Sequence, residues 1–432
     1  MDDRPLRIVI LGGGTAGWMA ANLFAARWQG RAQVTVIESE EIGIVGVGEG
    51  STPQLKSFFD GLDIAEADWM PACNATYKVG IGFRGWSERP GFDYYFHPFP
   101  TQLDVHTAPA FMFNTRMRRQ RHDVWAHPDR FFLPAYLAEH RLGPRASESF
   151  PFEIGYGYHF DAHLIGGYLR RHAAGRGVER LERKIAEVAI DDSGRVTHLV
   201  AEGGERIEGD YFVDCSGFRS MIAQQALGVP FRSFAENLFN DSAVVMPTPV
   251  EPGGLDSSTT AIALRNGWAW RIPLRSRIGN GYVYASRYCS AEAAEAELRA
   301  HLGTGDEVAA RHLRMKVGRV ENSWVGNCLA VGLSQGFLEP LEATALHIVQ
   351  ATVERFIESF EAGGFTAAHR DAFNAAINAR YEGIRDYIVC HYRVNRRTDT
   401  DYWRDNARHD NLSDSLKSIL TCWFTAGDLE AE

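Results

Sequence analysis

The stretch RIVILGGGTAGWMAANLFAARW, residues 7 to 28, decides the fold. Its first five residues form a β-branched run that reads as a buried strand. Glycines follow at once, and apolar residues then recur at helical spacing from Thr15 onward. A second run, VTVIE at 34 to 38, ends on Glu38, 21 positions after Gly17. Strand, tight turn, helix and strand in that order make a βαβ unit, and Gly12, Gly14 and Gly17 spell G-x-G-x-x-G inside it. Gly12 permits the turn, Gly14 lets the backbone approach a pyrophosphate, and Gly17 allows the helix to pack closely on the strand. The helix N-terminus, with Thr15 and Ala16 in its first turn, favours an anion, and Glu38 is placed to accept from ribose hydroxyls. The expected class is therefore α/β, with a Rossmann-type fold that binds an adenine dinucleotide.

Working outward, the Gly-rich stretch Gly43 to Gly50 leads into a region crowded with aromatics and histidines from Tyr77 to Phe160, which suits a cavity wall better than a repeat. Alternation returns at 184 to 215, where SG and GG turns predict two hairpin-like pairs followed by a buried strand. Further strands are expected at 258 to 264 and 280 to 287, and helices at 290 to 302 and 341 to 361. In the last helix Leu346, Val349, Val353, Phe356, Ile357 and Phe360 share one face. The tail from Ala367 to Cys422 is helical in pattern. No linker separates these parts, so one interleaved unit of 432 residues is expected, with a cofactor module from about 5–80, 160–240 and 320–362 and substrate-side elements from about 81–159, 241–319 and 363–432.

Composition narrows the partners. Charged residues make up 23% and hydrophobic residues 45%, which excludes disordered and low-complexity chains. A net charge of −10 gives no reason to expect nucleic acid or an anionic membrane, and no apolar run is long enough to span a bilayer. A short apolar start unlike a signal peptide points to a cytoplasmic setting. The six cysteines stand singly, so they read as free thiols and not as a zinc or dithiol centre. Two segments return toward the nucleotide: FVDCSGFRS (212 to 220), and NCLAVGLSQGFLEPLEATALHIV (327 to 349), which carries Leu333. Such returns are typical of flavoproteins and favour FAD over NAD. No second glycine fingerprint exists for a resident nicotinamide, so electrons are expected from elsewhere.

Five segments in order resemble the flavin-dependent tryptophan halogenase family: GGGTAGWMAA (12 to 21), GVGEGSTP (46 to 53, with Gly48), Thr76 to Trp86, Gly267 to Pro273, and LEPLEATAL (338 to 346). Trp268, Trp270, Ile272 and Pro273 spell that family's W-x-W-x-I-P signature. The resemblance runs from residue 6 to about 416. It implies the halogenase type of the flavin monooxygenase fold, and a reaction in two places. Reduced FAD from a separate NAD(P)H-dependent flavin reductase, oxygen, and chloride or bromide yield hypohalous acid, which travels through an internal tunnel to an aromatic substrate.

The resemblance also implies roles for particular residues. Lys78, in ATYKVGIGF, matches the family's essential lysine; its amine would hydrogen-bond hypohalous acid or form a haloamine, and for the second it must be neutral. On its own the residue reads as an exposed lysine on a strand. Glu342, in EPLEAT, matches the paired glutamate that would polarise the oxidant and take the ring proton; the plain alternative is a carboxylate stabilising a helix start. Thr344 and Ala345 would hold halide with free first-turn amides. Trp268 and Trp270 would flank the tunnel as a steric barrier, with Ile272 and Pro273 beside them, although on a strand they could equally fill a core. His97 and Phe99, in YYFHPFP, match the pair that stacks on indole.

This chain departs from the family pattern in several places. Gly82 stands where a second lysine is frequent, and Ala343 and Ala345 stand where Ser and Gly are usual. The family's carboxyl-terminal segment, which supplies an aromatic lid, has no counterpart, so a more open site for an indole-type, phenolic or carrier-bound aromatic is expected. The basic stretch Arg116 to Arg121 suits either an acidic carrier or a solvated helix face, and a homodimer is a further possibility. His159 and His163 lie at i and i+4 around Asp161, as metal ligands on a helix would. Without a third ligand, Asp161 reads as a helix cap and no metal is assigned. A flavin monooxygenase, or a flavin-binding protein without catalysis, are the competing readings; Lys78 and the two tryptophans argue against the first.

Overall fold

The computed structural model describes residues 4–43 and 49–427; Gly48 lies outside them. A six-stranded sheet carries Leu6–Leu11 near its centre, between Tyr211–Asp214 and Ala32–Glu38. Cys328–Ala330 and Glu179–Glu182 extend it in parallel, and Trp324–Val325 closes one edge antiparallel. Ile8, Val9, Ile10, Val34, Val36, Ile37, Phe212 and Val213 are buried, as strands covered on both faces require. The expected nucleotide fold is present, and the sheet's carboxyl edge gathers three loops on the Thr15–Arg27 helix. Gly12 turns at φ 120°, Cys215 follows Asp214, and Gly332 turns at φ 68° before Leu333.

Asp214 holds the second loop in place. Its buried carboxylate accepts from the Ser216 amide and hydroxyl and from the Ile222 and Ala223 amides, at 2.6 to 3.0 Å. A Cβ on Gly12 would sit 2.1 Å from the Cys215 carbonyl oxygen, and one on Gly17 would sit 1.9 Å from the Gly12 oxygen. Gly12→Ala therefore meets both a forbidden φ and a backbone clash, and on the order of 3 kcal/mol of stability should be lost. Differential scanning fluorimetry checks this; an unchanged Tm contradicts it.

The β-rich flank is a seven-stranded sheet in the order Arg311–Arg314, Ser242–Thr248, Ile278–Tyr284, Gly267–Pro273, Thr259–Leu264, Gly80–Arg84, Tyr94–Pro98. A small third sheet joins Glu49–Gly50, Gly157–Phe160 and Thr76–Lys78. The hairpins expected at 184 to 215 form as Ile185–Ile190, Val196–Ala201 and Arg206–Glu208, with Tyr211–Asp214 as the buried strand. The expected helices appear at Ala291–Leu302 and Ala345–Ala362, and the tail forms Arg370–Val394, Asp401–Arg408 and Asp414–Phe424. All six apolar positions anticipated on the Ala345–Ala362 helix are buried, and Phe356 meets Phe24 edge-on at 6.0 Å. That helix starts four residues later than expected, because Ala343 takes a left-handed φ of 55° after the Pro340–Glu342 turn.

Candidate active site

Lys78 ends a strand opposite Gly157, and its side chain is fully buried. Its Nζ has no hydrogen-bond partner among the described residues and lies 5.3 Å from the centre of the Phe99 ring. The exposed-lysine reading therefore fails. Burial drives the amine down from its usual 10.5 to about 7, against the pull of the Glu342 carboxylate. A large fraction is thus neutral at physiological pH.

Glu342 is buried in the short turn that precedes the Ala345–Ala362 helix. It does not stabilise the helix start from inside the first turn. Its Oε1 lies 3.1 Å from His97 Nδ1 and 2.9 Å from His391 Nε2, the latter off the axis of a hydrogen bond. Burial alone would push the Glu342 carboxyl up, but the two imidazoles outweigh it and hold the group well below the usual carboxylate range. Burial holds His391 below its ordinary value, so the pair is best described as carboxylate and neutral imidazole. Tyr387 brings its hydroxyl to 3.1 Å from His97 Nδ1, and Tyr95 reaches His391 Nδ1 at 3.4 Å. His97, Glu342 and His391 stand close enough together to hold a metal ion, a grouping that the sequence did not suggest.

Thr344 is the N-cap and Ala345 the first residue of the following helix, and no side chain caps that N-terminus. Its amides are open to an anion. Trp268 and Trp270 are buried neighbours on the Gly267–Pro273 strand, ring centres 6.2 Å apart, with Ile272 and Pro273 buried beyond them. Neither indole N–H has a hydrogen-bond partner among the described residues. The Trp270 ring lies across Gly281 on the adjacent strand, where a Cβ would come within 2.1 Å of it. Tyr94 fills the space beside Gly82: a Cβ there would approach its ring to 2.9 Å. An aromatic face thus lies beside Gly82.

His159 lies on the Gly157–Phe160 strand and not on a helix, so the i and i+4 pair with His163 does not share a helix face. Asp161 is the helix cap, accepting from the His163 and Leu164 amides. In the basic stretch, Arg118 donates to the Val124 carbonyl, and Arg119 donates to the Trp423 and Gly427 carbonyls. Both arginines serve packing. Sequence reading missed His391, Tyr387 and Glu339. Glu339 is fully buried and accepts from Asn240 at 2.6 Å; burial raises it to about 7, against the hydrogen bonds of Tyr392 and Asn240. Two acids inside the apolar run LEPLE were the available signal.

The nucleotide turn fits a dinucleotide. Gly14 caps the Thr15–Arg27 helix without a side-chain bond, leaving first-turn amides for a pyrophosphate. A Cβ on Gly13 would fall 1.6 Å from Glu38 Oε2, so only glycine lets that carboxylate close on the turn. Glu38 also accepts from Trp18 Nε1 at 3.2 Å and from Arg170 and Arg180, and these arginines bring positive charge to the same edge. Ala16 touches the Gly332 turn that carries Leu333.

A dinucleotide-binding fold joined to a sequestered amine and a carboxylate held between imidazoles has the make-up of a nucleotide-dependent enzyme. Comparison with known proteins makes this specific. Residues 7–432 match the family described as tryptophan halogenase. The chain is 40% identical to the 7-chloro-L-tryptophan 6-halogenase KtzR of Kutzneria sp. (strain 744), over 97% of this chain and 85% of that protein. It is 41% identical to the tryptophan 6-halogenase SttH of Streptomyces toxytricini, over 97% and 84%. The crystal structure of SttH superposes with a TM-score of 0.89, covering 97% of this chain and 85% of that one. BrvH, a flavin-dependent halogenase from Brevundimonas sp. BAL3, superposes with a TM-score of 0.86 at 34% identity, covering 98% and 85%.

The chain belongs to the tryptophan halogenase family. It is a flavin-dependent halogenase, an oxidoreductase that uses reduced FAD and halide on an aromatic substrate. Among the described residues no helix is long and apolar enough to cross a membrane.

Proposed function

We propose that this halogenase acts on an indole-type or phenolic ring held by His97 and Phe99, with Lys78 presenting the halogen and Glu342 removing the ring proton. Bound reduced FAD would supply hypohalous acid from oxygen and halide. The observation that carries the reading is the buried, unpartnered Lys78 amine over Phe99. A neutral amine in a dry pocket can accept a halogen atom or hold the oxidant by hydrogen bonds, and solvent there would discharge it. Phe99 walls that pocket, and His97 connects it to Glu342. Gly12, Gly14, Thr15, Ala16, Gly17, Glu38 and Leu333 would hold FAD, and the Thr344 and Ala345 amides would hold chloride or bromide. The Trp268 and Trp270 rings would keep the aromatic substrate from the cofactor, so that only a small oxidant passes.

Electrons would come from a separate NAD(P)H-dependent flavin reductase in the cytoplasm. The test supplies reductase, FAD, oxygen and bromide or chloride with a panel of indoles and phenols, and reads the halogen isotope pattern by mass spectrometry. Halogenated indoles or phenols are expected. Hydroxylated products without halogen would replace this reading with the monooxygenase one.

A further inference from the structure

Beside Lys78 a chain of hydrogen bonds has only one consistent direction. The Thr76 hydroxyl lies 2.7 Å from the Pro273 carbonyl, which can only accept, so Thr76 spends its proton there. His159 Nδ1, 3.0 Å from the same hydroxyl oxygen, must then be the N–H that donates to it. His159 is fully buried; burial keeps it uncharged, helped by the nearby charge of Arg271. A neutral ring protonated at Nδ1 has a bare Nε2. Thr259 Oγ1, 2.9 Å away, therefore donates its proton to His159 Nε2.

Thr259 thus has no proton left to give, and its oxygen presents lone pairs alone. The Gly50 backbone runs beside both groups: a Cβ there would stand 3.4 Å from Thr259 Oγ1, 3.3 Å from Lys78 Nζ and 3.6 Å from His159 Cδ2. An amine and a pure acceptor thus lie beside the same glycine.

We propose that Thr259 is the second group that holds the oxidant at Lys78, accepting the hydrogen bond of the hypohalous acid O–H while the halogen faces the amine, and that His159 is the positioning residue that turns Thr259 to accept. The proposal rests on Lys78 as the residue that receives the oxidant.

The test compares Thr259→Val, Thr259→Ser, His159→Gln and His159→Asn. Thr259→Val keeps the shape and removes the acceptor. It should lower kcat for halogenation about tenfold, the value of one good hydrogen bond, with KM for the aromatic substrate and FAD affinity little changed. The oxidant that is no longer held should escape and appear as more haloamine on added taurine. Thr259→Ser should behave as the parent protein. Gln can place its amide oxygen where Nε2 stood, whereas Asn reaches only the Nδ1 position, so His159→Gln should retain more activity than His159→Asn.

A second readout needs no flavin. Carbamylation of Lys78 by cyanate, followed by peptide mass spectrometry, proceeds through isocyanic acid, whose N–H meets the same acceptor; it should slow in Thr259→Val and not in Thr259→Ser. Parent-like halogenation, taurine capture and carbamylation in Thr259→Val would overturn the proposal, as would equal losses in kcat, KM and FAD affinity. Should a His159 variant fail to fold, the isosteric Thr259 pair still decides. If Lys78→Met keeps halogenating, the role of Lys78 itself fails; if it is dead while Thr259→Val is parent-like, only the Thr259 and His159 assignment fails.

Discussion

Lys78→Met should abolish aromatic halogenation and at the same time raise the melting temperature at mildly acidic pH. The two effects have one cause. The amine is fully buried without a hydrogen-bond partner, so charging it inside the protein is unfavourable, and its pKa falls from 10.5 to about 7. Between those two values the unfolded chain binds a proton that the folded one does not. Stability therefore rises with pH across that window, and the full penalty is present below about 7. At ~1.4 kcal/mol per pKa unit the penalty amounts to several kcal/mol. Methionine fills similar space without a charge, so the variant should gain most near pH 6 and lose its advantage as pH approaches 10. Product formation should fall on the order of 10³-fold, the scale of a lost catalytic group, while oxidant production, read by taurine capture, continues. Halogenation that survives the change, or a melting temperature that drops at pH 6, would refute the assignment.

What the sequence made legible follows from how far each feature reaches along the chain. Gly12 to Glu38 could be read because the whole βαβ unit, its turn and its acidic end lie within one local stretch, with spacing fixed by strand and helix geometry. The hairpins at 185 to 208 were equally local. Lys78 and Glu342 were visible through short motifs, yet their environments were not. The partners of Glu342 come from two distant elements: His97 from an edge strand, and His391 from a 25-residue helix in which it reads as one more buried face position. His159 was misplaced because the i and i+4 spacing suggested a helix, whereas the strand ends at Phe160 and Asp161 starts a new element as its cap. Helical periodicity also carried the Ala345–Ala362 helix back to residue 341. Nothing in the pattern shows that Ala343 adopts a left-handed backbone, and that break is what separates Glu342 from the helix and turns it toward His97.

Glu342→Gln should leave the fold intact and make loss of the ring proton the slow step. Glutamine keeps the shape and one acceptor oxygen, so one imidazole contact can survive. The charge is gone, however, and with it the means of taking a proton. In the parent protein the carboxylate is held ionised by His97 and His391 despite its burial. An ionised carboxylate under a cationic ring intermediate both stabilises the charge and accepts the proton. The rate should fall about 10²–10³-fold, with the affinity for the aromatic little changed because His97 and Phe99 remain. A substrate deuterated at the reacting ring position separates this from a general disturbance of the pocket. If Glu342 is the base, proton loss is fast in the parent protein and no primary isotope effect is seen, whereas the Gln variant shows one. Asp at this position restores the charge on a shorter arm and should recover part of the rate while the isotope effect shrinks. A Gln variant that is slow but shows no isotope effect would assign Glu342 to holding the Lys78 chamber in shape and leave the proton to another acceptor.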